Sequence, residues 1–465
     1  MKTRTEKDSL GPLDVPADAY YGAQTQRAIT NFPISGWPLP PRLIHAMGRI
    51  KRAAARTNLE LRLLDKKRAG AIIAAAGEVA DGKLDAQFPV DIFQTGSGTS
   101  TNMNANEVIA RRAVELLKGK TTVHPNDHVN LCQSSNDVFP TAIHLGVIEA
   151  IRNELIPSLH HLHGELAEKA EEFDGIIKIG RTHLQDATPV RLGQEFGGYA
   201  AQIEHAIVRA NRAVEILSEL PLGGTAVGSG LNAHPNFAKK TIAKLGKELG
   251  VKLTDAGNHF EAAASRDACV EASGCHKTIA VSLAKIAGDV RLLGSGPRCG
   301  IGEIKLPAVQ PGSSIMPGKV NPVIAESTIQ VCLWVIGADA TITLGGLQSF
   351  FELNVAMPLI GAQLIESVEL LAKASRNFAD KCVAEIEADR ERCESLVEQS
   401  LAMCTPLAPV IGYDKAAAIA KKAYETGKTV REVAEKESGL SKSQLDELFD
   451  LRQLTKPGIR GKGGE

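Results

Sequence analysis

Hydrophobic residues recur at steps of three or four along the middle of the chain, with polar residues between them. In the first such stretch, Ile143, Val147, Ile151 and Leu155 follow one another at the period of an α-helix. The same pattern predicts long helices near residues 142–172, 189–219, 262–293, 320–347 and 354–388. Helices of this length must bury their apolar faces against one another, so we expect an elongated bundle.

The fourth of these segments is apolar around much of its circumference, through Ile329, Val331, Leu333, Val335 and Ile336. A helix that is apolar on all sides needs apolar cover on all sides. Other copies of the chain would supply that cover, so we expect a homo-oligomer. A thick bundle within a single chain is the alternative.

The regions that flank the bundle have shorter patterns. Prolines interrupt residues 1–41, which we expect to be irregular. Helical periodicity begins at Arg42 and returns at 71–79, and one helix near 105–117 interrupts a polar, glycine-rich region.

Beyond residue 389 the pattern shortens to small helices separated by turn glycines. We therefore predict an all-α dominated fold with three domains. They are an N-terminal domain over residues 1–133, a central helical bundle over 134–388 and a small C-terminal helical domain over 389–465.

The charges of the chain are balanced, with 53 lysines and arginines against 54 acidic residues. Because neither sign dominates, no long-range field attracts nucleic acid or an anionic membrane, and we expect neither as a partner. Aromatic residues make up only 4% of the sequence. That composition suits closely packed helices better than a β-sandwich.

The eight cysteines are scattered, and no Cys-x-x-Cys pair occurs among them. We therefore expect no zinc or iron–sulfur site, and reduced thiols in a cytoplasmic protein. The first eight residues carry acids and no apolar signal core. No uncharged apolar run reaches the length that spans a membrane.

Four stretches rich in glycine, hydroxyl or amide groups border predicted helices. They are Thr95–Asn102; His124–Asp127, which leads into Gln133–Asp137; Gly180–Asp186; and Gly312–Pro322, with Glu326 just beyond it. Singly, each has an ordinary explanation, because Ser, Thr and Asn before a helix are usually N-caps. Together they supply hydroxyls, amides, a histidine and a lysine, which suits binding of a small dianion and proton transfer.

The last of these stretches is the most informative. Between Gly312 and Pro322 it carries two serines, Lys319 and Asn321. Freed backbone N–H groups, a cation and an amide suit capture of a carboxylate or phosphate. A nucleotide-binding loop has four residues between its glycine and Gly-Lys, whereas five intervene here and Val320 follows the lysine. The segment is therefore predicted to bind an anion other than a nucleotide.

The content and order of the four stretches resemble the fumarase/aspartase superfamily. Gly312–Pro322 matches the signature segment of that superfamily, and the likeness extends from Val15–Asp18 to Gly412–Lys415. Within the superfamily the chain is similar to the class II fumarate hydratases, which interconvert fumarate and (S)-malate without a cofactor. The resemblance implies a hydro-lyase of the tricarboxylic acid cycle, working by anti elimination through a carbanion with aci-carboxylate character.

Two alternatives remain open. Aspartate ammonia-lyases eliminate ammonia from the same carbon skeleton, and Ala19–Gly22 and Asn321–Ile324 look more like theirs. The chain has the residue typical of fumarases at four other positions, which are His124, Ser135, His183 and Gly318. A non-catalytic structural protein on a lyase scaffold is the second alternative, although such a scaffold should have lost some catalytic residues.

The resemblance also implies roles for individual residues. Ser313 would remove the carbon-bound proton, and Lys319 with Asn321 would stabilise the resulting dianionic carboxylate. His183 would act as acid toward the departing hydroxyl, with Glu326 orienting its ring. The implied substrate-binding residues are Ser97, Gly98, Thr99, Ser134, Ser135, Asn136, Thr182, Ser314, Lys319, Val320 and Asn321.

A second dicarboxylate site is implied at His124, Pro125, Asn126 and Asp127. We expect it to be weak, because Thr121, Thr122 and Val123 precede it where some fumarases carry a basic residue. The family also builds each active site from three chains of a homotetramer. The resemblance therefore implies a small dicarboxylate as substrate and further copies of this chain as partners.

Overall fold

The computed structural model describes residues 2–459, in which helices predominate. The helices are α1 (Ala23–Asn31), α2 (Pro41–Glu60), α3 (Lys66–Ala80), α4 (Thr99–Leu116), α5 (Ser135–Ala150), α6 (Ile156–Glu172), α7 (Leu192–Leu217), α8 (Phe237–Leu249), α9 (His259–Ala264), α10 (Asp267–Leu293), α11 (Val323–Gly346), α12 (Met357–Lys381), α13 (Arg390–Gln399), α14 (Ala408–Ile411), α15 (Tyr413–Thr426), α16 (Val430–Glu437), α17 (Lys442–Leu448) and α18 (Leu451–Leu454). The expectation of an all-α dominated fold is confirmed.

Short strands accompany the helices. They are β1 (Thr3–Asp8), β2 (Gly11–Pro16), β3 (Ile177–Thr182), β4 (Gln185–Arg191), β5 (Glu219–Leu220), β6 (Thr254–Asp255), β7 (Ile304–Lys305), β8 (Ser349–Phe350), β9 (Leu353–Asn354) and β10 (Glu387–Ala388). They pair as β1–β2, β3–β4, β5–β6, β7–β10 and β8–β9, and β5–β6 is parallel while the other pairs are antiparallel. Short helical segments that are wound more tightly or more widely than an α-helix lie at Asp85–Gln87, Pro125–Val129, Ile151–Leu155, Val383–Glu385 and Leu401–Leu407.

The predicted long segments are helical over most of their length. The first consists of α5 and α6 joined by the more widely wound segment Ile151–Leu155. The others correspond to α7, α10, α11 and α12. Differences occur at the ends: residues 189–191 belong to β4, and α4 begins at Thr99 rather than near 105. The helical period was therefore a good guide to the elements and a poorer one to their ends.

The prediction that residues 1–41 are irregular is wrong. They contain the β1–β2 hairpin and α1. Pro12 pairs with Lys7 and Pro16 with Thr3 in this hairpin. Proline is tolerated there because each strand of a two-stranded sheet has an edge that needs no N–H donor.

The described residues form two compact units. Unit 1 comprises the chain up to Pro157 with Ala206–Val281 and Val331–Lys373. Unit 2 comprises Ser158–His205, Ser282–Gln330 and the chain from Ala374. The predicted division into three domains stays a prediction, and its ends, residue 1 and residues 460–465, lie outside the described residues.

In unit 1, α2 packs against α3, α5 and α8, and α3 packs against α4. Buried residues of α2 and α5 include Leu43, Met47, Ile143 and Val147, which are fully inaccessible to solvent. This packing fixes the first turns of α4 and α5, where two of the polar stretches lie.

In unit 2, the β3–β4 hairpin packs against α13, and α18 packs against β4. Ile179 of β3 joins a core formed with Val397, Leu407, Ile419 and Phe449. The core holds the base of the hairpin, whose tip carries the third polar stretch.

Helix α11 is long and apolar enough, by length and composition, to cross a membrane. Within the part of α11 that lies in unit 1, Leu333, Trp334 and Leu344 are at least half exposed. Asp339 on the same helix accepts hydrogen bonds from Ser273 and Lys277. The helix therefore combines an uncovered apolar surface with a charged group that this chain itself satisfies.

Candidate active site

A chain of hydroxyl groups in unit 1 joins two of the polar stretches. The Oγ of Ser97 lies 2.7 Å from Oγ1 of Thr99, which lies 2.7 Å from Oγ of Ser135. These side chains come from the first turn of α4, the segment before it and the first turn of α5. The structure thus brings together hydroxyls that are 38 residues apart in sequence at their extremes.

Ser134 caps α5 as its N-cap residue. Its Oγ accepts from the backbone N–H of Asn136, and its own N–H donates to Asp137. Asn136 donates from its amide to the carbonyl of Ala226. The structural explanation of Ser134 is therefore correct, while Ser135 remains free of the cap and faces Thr99.

Asp137 is fully buried and holds a neighbouring turn in place. One of its carboxylate oxygens accepts from the backbone N–H groups of Gly223 and Thr225, at 2.9 and 3.0 Å. Burial raises the pKa of the Asp137 carboxyl, and the backbone donors oppose that rise. Asp137 is thus a structural acid that ties the 223–225 turn to the start of α5.

Glycine at two positions allows the first stretch to approach its neighbours. Gly98 has φ +73°, and a Cβ there would lie 2.2 Å from the ring of Phe139. A Cβ on Gly96 would lie 1.9 Å from the carbonyl oxygen of Val355. The glycines therefore let the backbone beside Thr99 pack directly on α5 and on the segment before α12.

These groups border a cavity of about 360 Å³ within unit 1. Its lining residues are Thr99, Asn102, Met103, Asn106, Asn126, Asn130, Gln133, Ser134, Ser135, Thr225, Ala226, Leu231 and Asn232. The sequence reasoning missed the contribution of residues 223–232. Four glycines within those ten residues were the signal that could have revealed it.

The His124–Asp127 turn also lies in unit 1. Nδ1 of His124 accepts from the backbone N–H of Asp127 at 3.1 Å. A cavity of about 650 Å³ beside it is lined by Arg4, Lys7 and Arg111 together with His124, Pro125 and Asn126. Acidic residues, Glu6, Asp8 and Glu107, line the same cavity. The sequence just before His124 has no basic residue, but Arg4, Lys7 and Arg111, from distant parts of the chain, line the cavity beside the turn.

In unit 2, His183 lies at the tip of the β3–β4 hairpin. His183 and Leu184 both have positive φ, 56° and 60°. This is the backbone of a two-residue turn that normally favours glycine or asparagine. Left-handed backbone at such residues persists where the surroundings enforce it, often at functional sites.

Buried ion pairs anchor the hairpin below its tip. Arg181 donates two hydrogen bonds to Glu303, at 2.8 and 3.0 Å. Lys178 donates to Glu195 at 2.8 Å and lies 3.3 Å from Glu303. Since Lys178 and Glu303 are fully buried, breaking this network would leave uncompensated charge in the interior.

The signature loop of unit 2 is closed by its own hydrogen bonds. The N–H of Gly312 donates to the carbonyl of Lys319 at 2.8 Å, and the amide of Asn321 donates to the carbonyl of Gly312. Oγ of Ser313 accepts from the backbone N–H groups of Ile315 and Met316, at 3.2 and 2.9 Å. Two donors thus point at the oxygen that the sequence reasoning assigned as the base.

Three residues of the loop and one of α11 share a cavity of about 910 Å³ within unit 2. They are Lys319, Val320, Asn321 and Glu326. Glu326 lies 3.6 Å from Arg291, which lines the same cavity. Within residues 2–459 the structure gives His183 no hydrogen-bonding partner, so its expected pairing with Glu326 stays a prediction.

The remaining predicted residues of unit 2, Thr182 and Ser314, are exposed. Thr182 is the last residue of β3, and Ser314 follows Ser313 in the loop. No group of three or more His, Cys, Asp or Glu side chains that could hold a metal ion occurs in residues 2–459.

Comparison with known proteins places the chain in a family. Residues 11–337 match the family model described as lyase, and residues 403–456 match the one described as fumarase C C-terminus. Fumarate hydratase class II of Halobacterium salinarum is 55% identical over 98% of this chain and 98% of its own length. Fumarate hydratase class II 2 of Bradyrhizobium diazoefficiens is 52% identical over 98% and 97%.

Solved structures agree with this assignment. The class II fumarase of Schistosoma mansoni, 42% identical, aligns with a TM-score of 0.95 over 98% of this chain and 99% of that one. The fumarate lyase:delta crystallin of Brucella melitensis, solved bound to cobalt and 48% identical, aligns with a TM-score of 0.94 over 98% and 100%. The resemblance found in the sequence is confirmed: this chain belongs to the class II fumarate hydratase family of the fumarase/aspartase superfamily.

Proposed function

We propose that this protein is a lyase that catalyses the reversible hydration of fumarate to (S)-malate. The observation that carries the proposal is the identity of 55% with a class II fumarate hydratase across nearly the full length of both chains. A dehydration of this kind removes a proton from the carbon beside a carboxylate, which is a very weak acid. The site must therefore stabilise the dianionic carboxylate that forms more strongly than it binds malate.

Ser313 is proposed as the base that takes this proton. A serine hydroxyl is a poor base unless its oxyanion is stabilised. The two backbone N–H groups that donate to Ser313 Oγ are placed to stabilise that oxyanion. Lys319 and Asn321, in the same closed loop, are proposed to bind the carboxylate that accepts the developing charge.

His183 is proposed as the acid that protonates the departing hydroxyl on the opposite face, giving an anti elimination. Its enforced position at a hairpin tip supports this role. Glu326 is proposed to orient the imidazole ring. Because Glu326 pairs with Arg291 within this chain, its carboxylate is already held at the edge of the cavity that contains Lys319.

The hydroxyl chain of Ser97, Thr99 and Ser135 is proposed to bind the rest of the substrate. Its geometry supports this, because three hydroxyls in contact can reorient their protons toward a carboxylate. The other proposed substrate-binding groups are Gly98, Ser134, Asn136, Thr182, Ser314 and Val320. The turn at His124, Pro125, Asn126 and Asp127 is proposed as a second, weaker dicarboxylate site, which Lys7 and Arg111 support.

We propose that the protein is a homotetramer whose active sites each draw residues from three chains. The exposed apolar residues Leu333, Trp334 and Leu344 of α11 support burial between copies. Asp339, satisfied by Ser273 and Lys277, argues for a protein neighbour rather than lipid around this helix.

A place in the tricarboxylic acid cycle, in the cytoplasm and without a cofactor, completes the proposal. All eight cysteines are free thiols, as expected in a reducing compartment.

An assay of fumarate absorbance tests the proposal. The ultraviolet absorbance of the conjugated double bond should fall when fumarate and protein are mixed without ammonium. A fall that requires ammonium would identify an aspartate ammonia-lyase instead. Constant absorbance under both conditions would favour a non-catalytic protein on a lyase scaffold.

A further inference from the structure

The 360 Å³ cavity beside Thr99 and Ser135 is walled by amide groups that lack protein partners. Asn102 and Asn106, on the cavity face of α4, are 3% and 1% exposed. Within residues 2–459, Oδ1 of Asn102, both amide atoms of Asn106 and Oε1 of Gln133 have no hydrogen-bonding partner. Buried polar atoms of this kind normally bind ordered water or a ligand, because leaving them unsatisfied is destabilising.

Asn130 fixes the orientation of the Asn102 amide. The NH₂ of Asn130 donates to the backbone carbonyl of Gln133 at 3.0 Å, and a carbonyl accepts and never donates. The oxygen of Asn130 must therefore be the atom that accepts from Nζ of the fully buried Lys51, at 2.8 Å. The group of Asn102 that contacts the same oxygen, at 3.2 Å, must then be its NH₂. Oδ1 of Asn102 is consequently left as an unpaired acceptor.

The amide of Gln133 is fixed in the same way by acceptors. Its Nε2 donates to the backbone carbonyls of Val129 and Leu131, both at 3.1 Å. A carbonyl accepts and never donates, so the NH₂ must face these two groups. Oε1 of Gln133 is therefore a second unpaired acceptor in the wall of the cavity.

The fixed groups of Asn102 and Gln133 are acceptors, so this part of the wall disfavours a carboxylate and favours a ligand that donates hydrogen bonds. The hydroxyls of Thr99 and Ser135 in the same lining can themselves donate. We propose that Asn102, Asn106 and Gln133 form a water-binding chamber. It supplies the reactant water to the site formed by the hydroxyls of Ser97, Thr99 and Ser135. The inference rests on the proposed function, in which water is a reactant. In the hydration reaction, the oxygen of water bonds to one alkene carbon, and one proton of that water passes to His183. The other alkene carbon receives the proton of Ser313.

Asn106 offers a clean test because neither of its amide atoms bonds to protein. Asn106→Leu removes the water-binding group and breaks no protein hydrogen bond. We expect kcat for fumarate hydration to fall about tenfold, as loss of one such interaction in the transition state predicts. The KM for fumarate should change less than about twofold, since the chamber does not bind the dicarboxylate. Asn106→Ser, which restores a polar group and leaves room for water, should recover part of kcat.

Asn104 is the matched control on the same helix. It is fully buried, does not line the cavity, and donates to the carbonyl of Gln87 at 2.9 Å. Asn104→Leu should lower the midpoint of thermal unfolding and leave kcat at the wild-type value. Asn106→Leu should show the reverse, with unfolding little changed and kcat lowered.

A crystal structure of the wild-type protein without substrate gives a second test that needs no variant. We expect water oxygens about 2.7–3.2 Å from Oδ1 of Asn102 and from the amide of Asn106. A dry chamber, a wild-type kcat in Asn106→Leu, or an effect on KM alone would overturn the proposal. If the wild-type protein hydrates fumarate but the expected waters or the lowered kcat are not observed, the chamber proposal is wrong and the proposed function stands. If the wild-type protein does not hydrate fumarate, the proposed function is itself wrong.

Discussion

At the scale of single residues, the loop around Ser313 supports its proposed role as a base. Its hydroxyl oxygen accepts from two N–H groups of its own loop, and that loop is closed by the Gly312–Lys319 and Asn321–Gly312 hydrogen bonds. The two donors that would stabilise the proposed oxyanion are therefore set by local backbone geometry.

Ser313→Ala should lower kcat for fumarate hydration by about 10²–10⁴, because it removes the proton-transfer group and leaves the loop closed. KM should change little, since Lys319 and Asn321 remain. Steady-state kinetics in both directions measure this. Ser314→Ala is the control in the same loop and should mainly raise KM; a wild-type kcat in Ser313→Ala would contradict the assignment.

Lys51 predicts an unusual dependence of stability on pH. Burial lowers the pKa of its ammonium from 10.5 to about 7, and Asp137 opposes that shift. Between these two values the unfolded chain binds the extra proton, so this group makes the folded protein more stable as pH rises from about 7 toward 10.5. Below pH 7 the buried charge destabilises the fold to its full extent.

Lys51→Met should accordingly raise the free energy of unfolding at pH 6, and the gain should shrink as pH rises above 7. Urea unfolding of both proteins at several pH values measures it. Lys178→Met is the contrasting control, because Lys178 is buried against Glu195 and Glu303 and its loss should destabilise the protein. A pH-independent difference in unfolding free energy for Lys51→Met would contradict a lowered pKa at Lys51.

At the scale of elements, tight contacts position the hydroxyls. Gly98 has no room for a side chain, because α5 presents the ring of Phe139 to it. Thr99 begins α4 directly after this contact, so its hydroxyl reaches Ser135. The distance between the first turns of α4 and α5 thus depends on one glycine.

Gly98→Ala should destabilise the protein by about 2–4 kcal/mol, combining steric overlap with strain at positive φ. It should also raise the KM for fumarate by displacing Thr99. Gly427→Ala is the control: Gly427 has φ +67°, in the same left-handed region as Gly98, but open space around it, so about 1 kcal/mol is expected, without an effect on KM. Equal losses in the two variants would show that the contact with Phe139 is unimportant.

The elements also show which features the sequence could reveal. Periodicity predicted the long helices because their apolar faces are wide and regular. It missed the β1–β2 hairpin, whose prolines look disruptive but lie where a two-stranded sheet tolerates them. Motif content predicted four stretches as parts of the site, and that assignment stays a prediction. Lys51, an ordinary helical lysine in sequence, becomes distinctive only once its burial and its contact with Asn130 are known.

At the scale of the whole molecule, the proposed tetramer builds each active site from more than one chain. The exposed apolar residues of α11 are the surface on which that assembly is proposed to depend. An association that buries such residues is sensitive to a single charge placed among them.

Leu333→Glu should therefore dissociate the proposed tetramer and abolish hydration together, because Leu333 is 62% exposed in the single chain and is proposed to be covered in the assembly. Light scattering and the fumarate assay on the same sample measure both effects. Tyr424→Glu is the control, as Tyr424 is 77% exposed on α15 and should tolerate the charge. A Leu333→Glu protein of unchanged mass would place the interface elsewhere.

The most direct test of the account mixes two inactive variants, His183→Asn and Ser313→Ala, and lets their subunits re-associate in equal amounts. If each site takes these two residues from different chains, about a quarter of the sites receive both wild-type residues by chance. Hydration of fumarate without ammonium should then return to about a quarter of the wild-type rate. A mixture as inactive as its two parents would contradict the account.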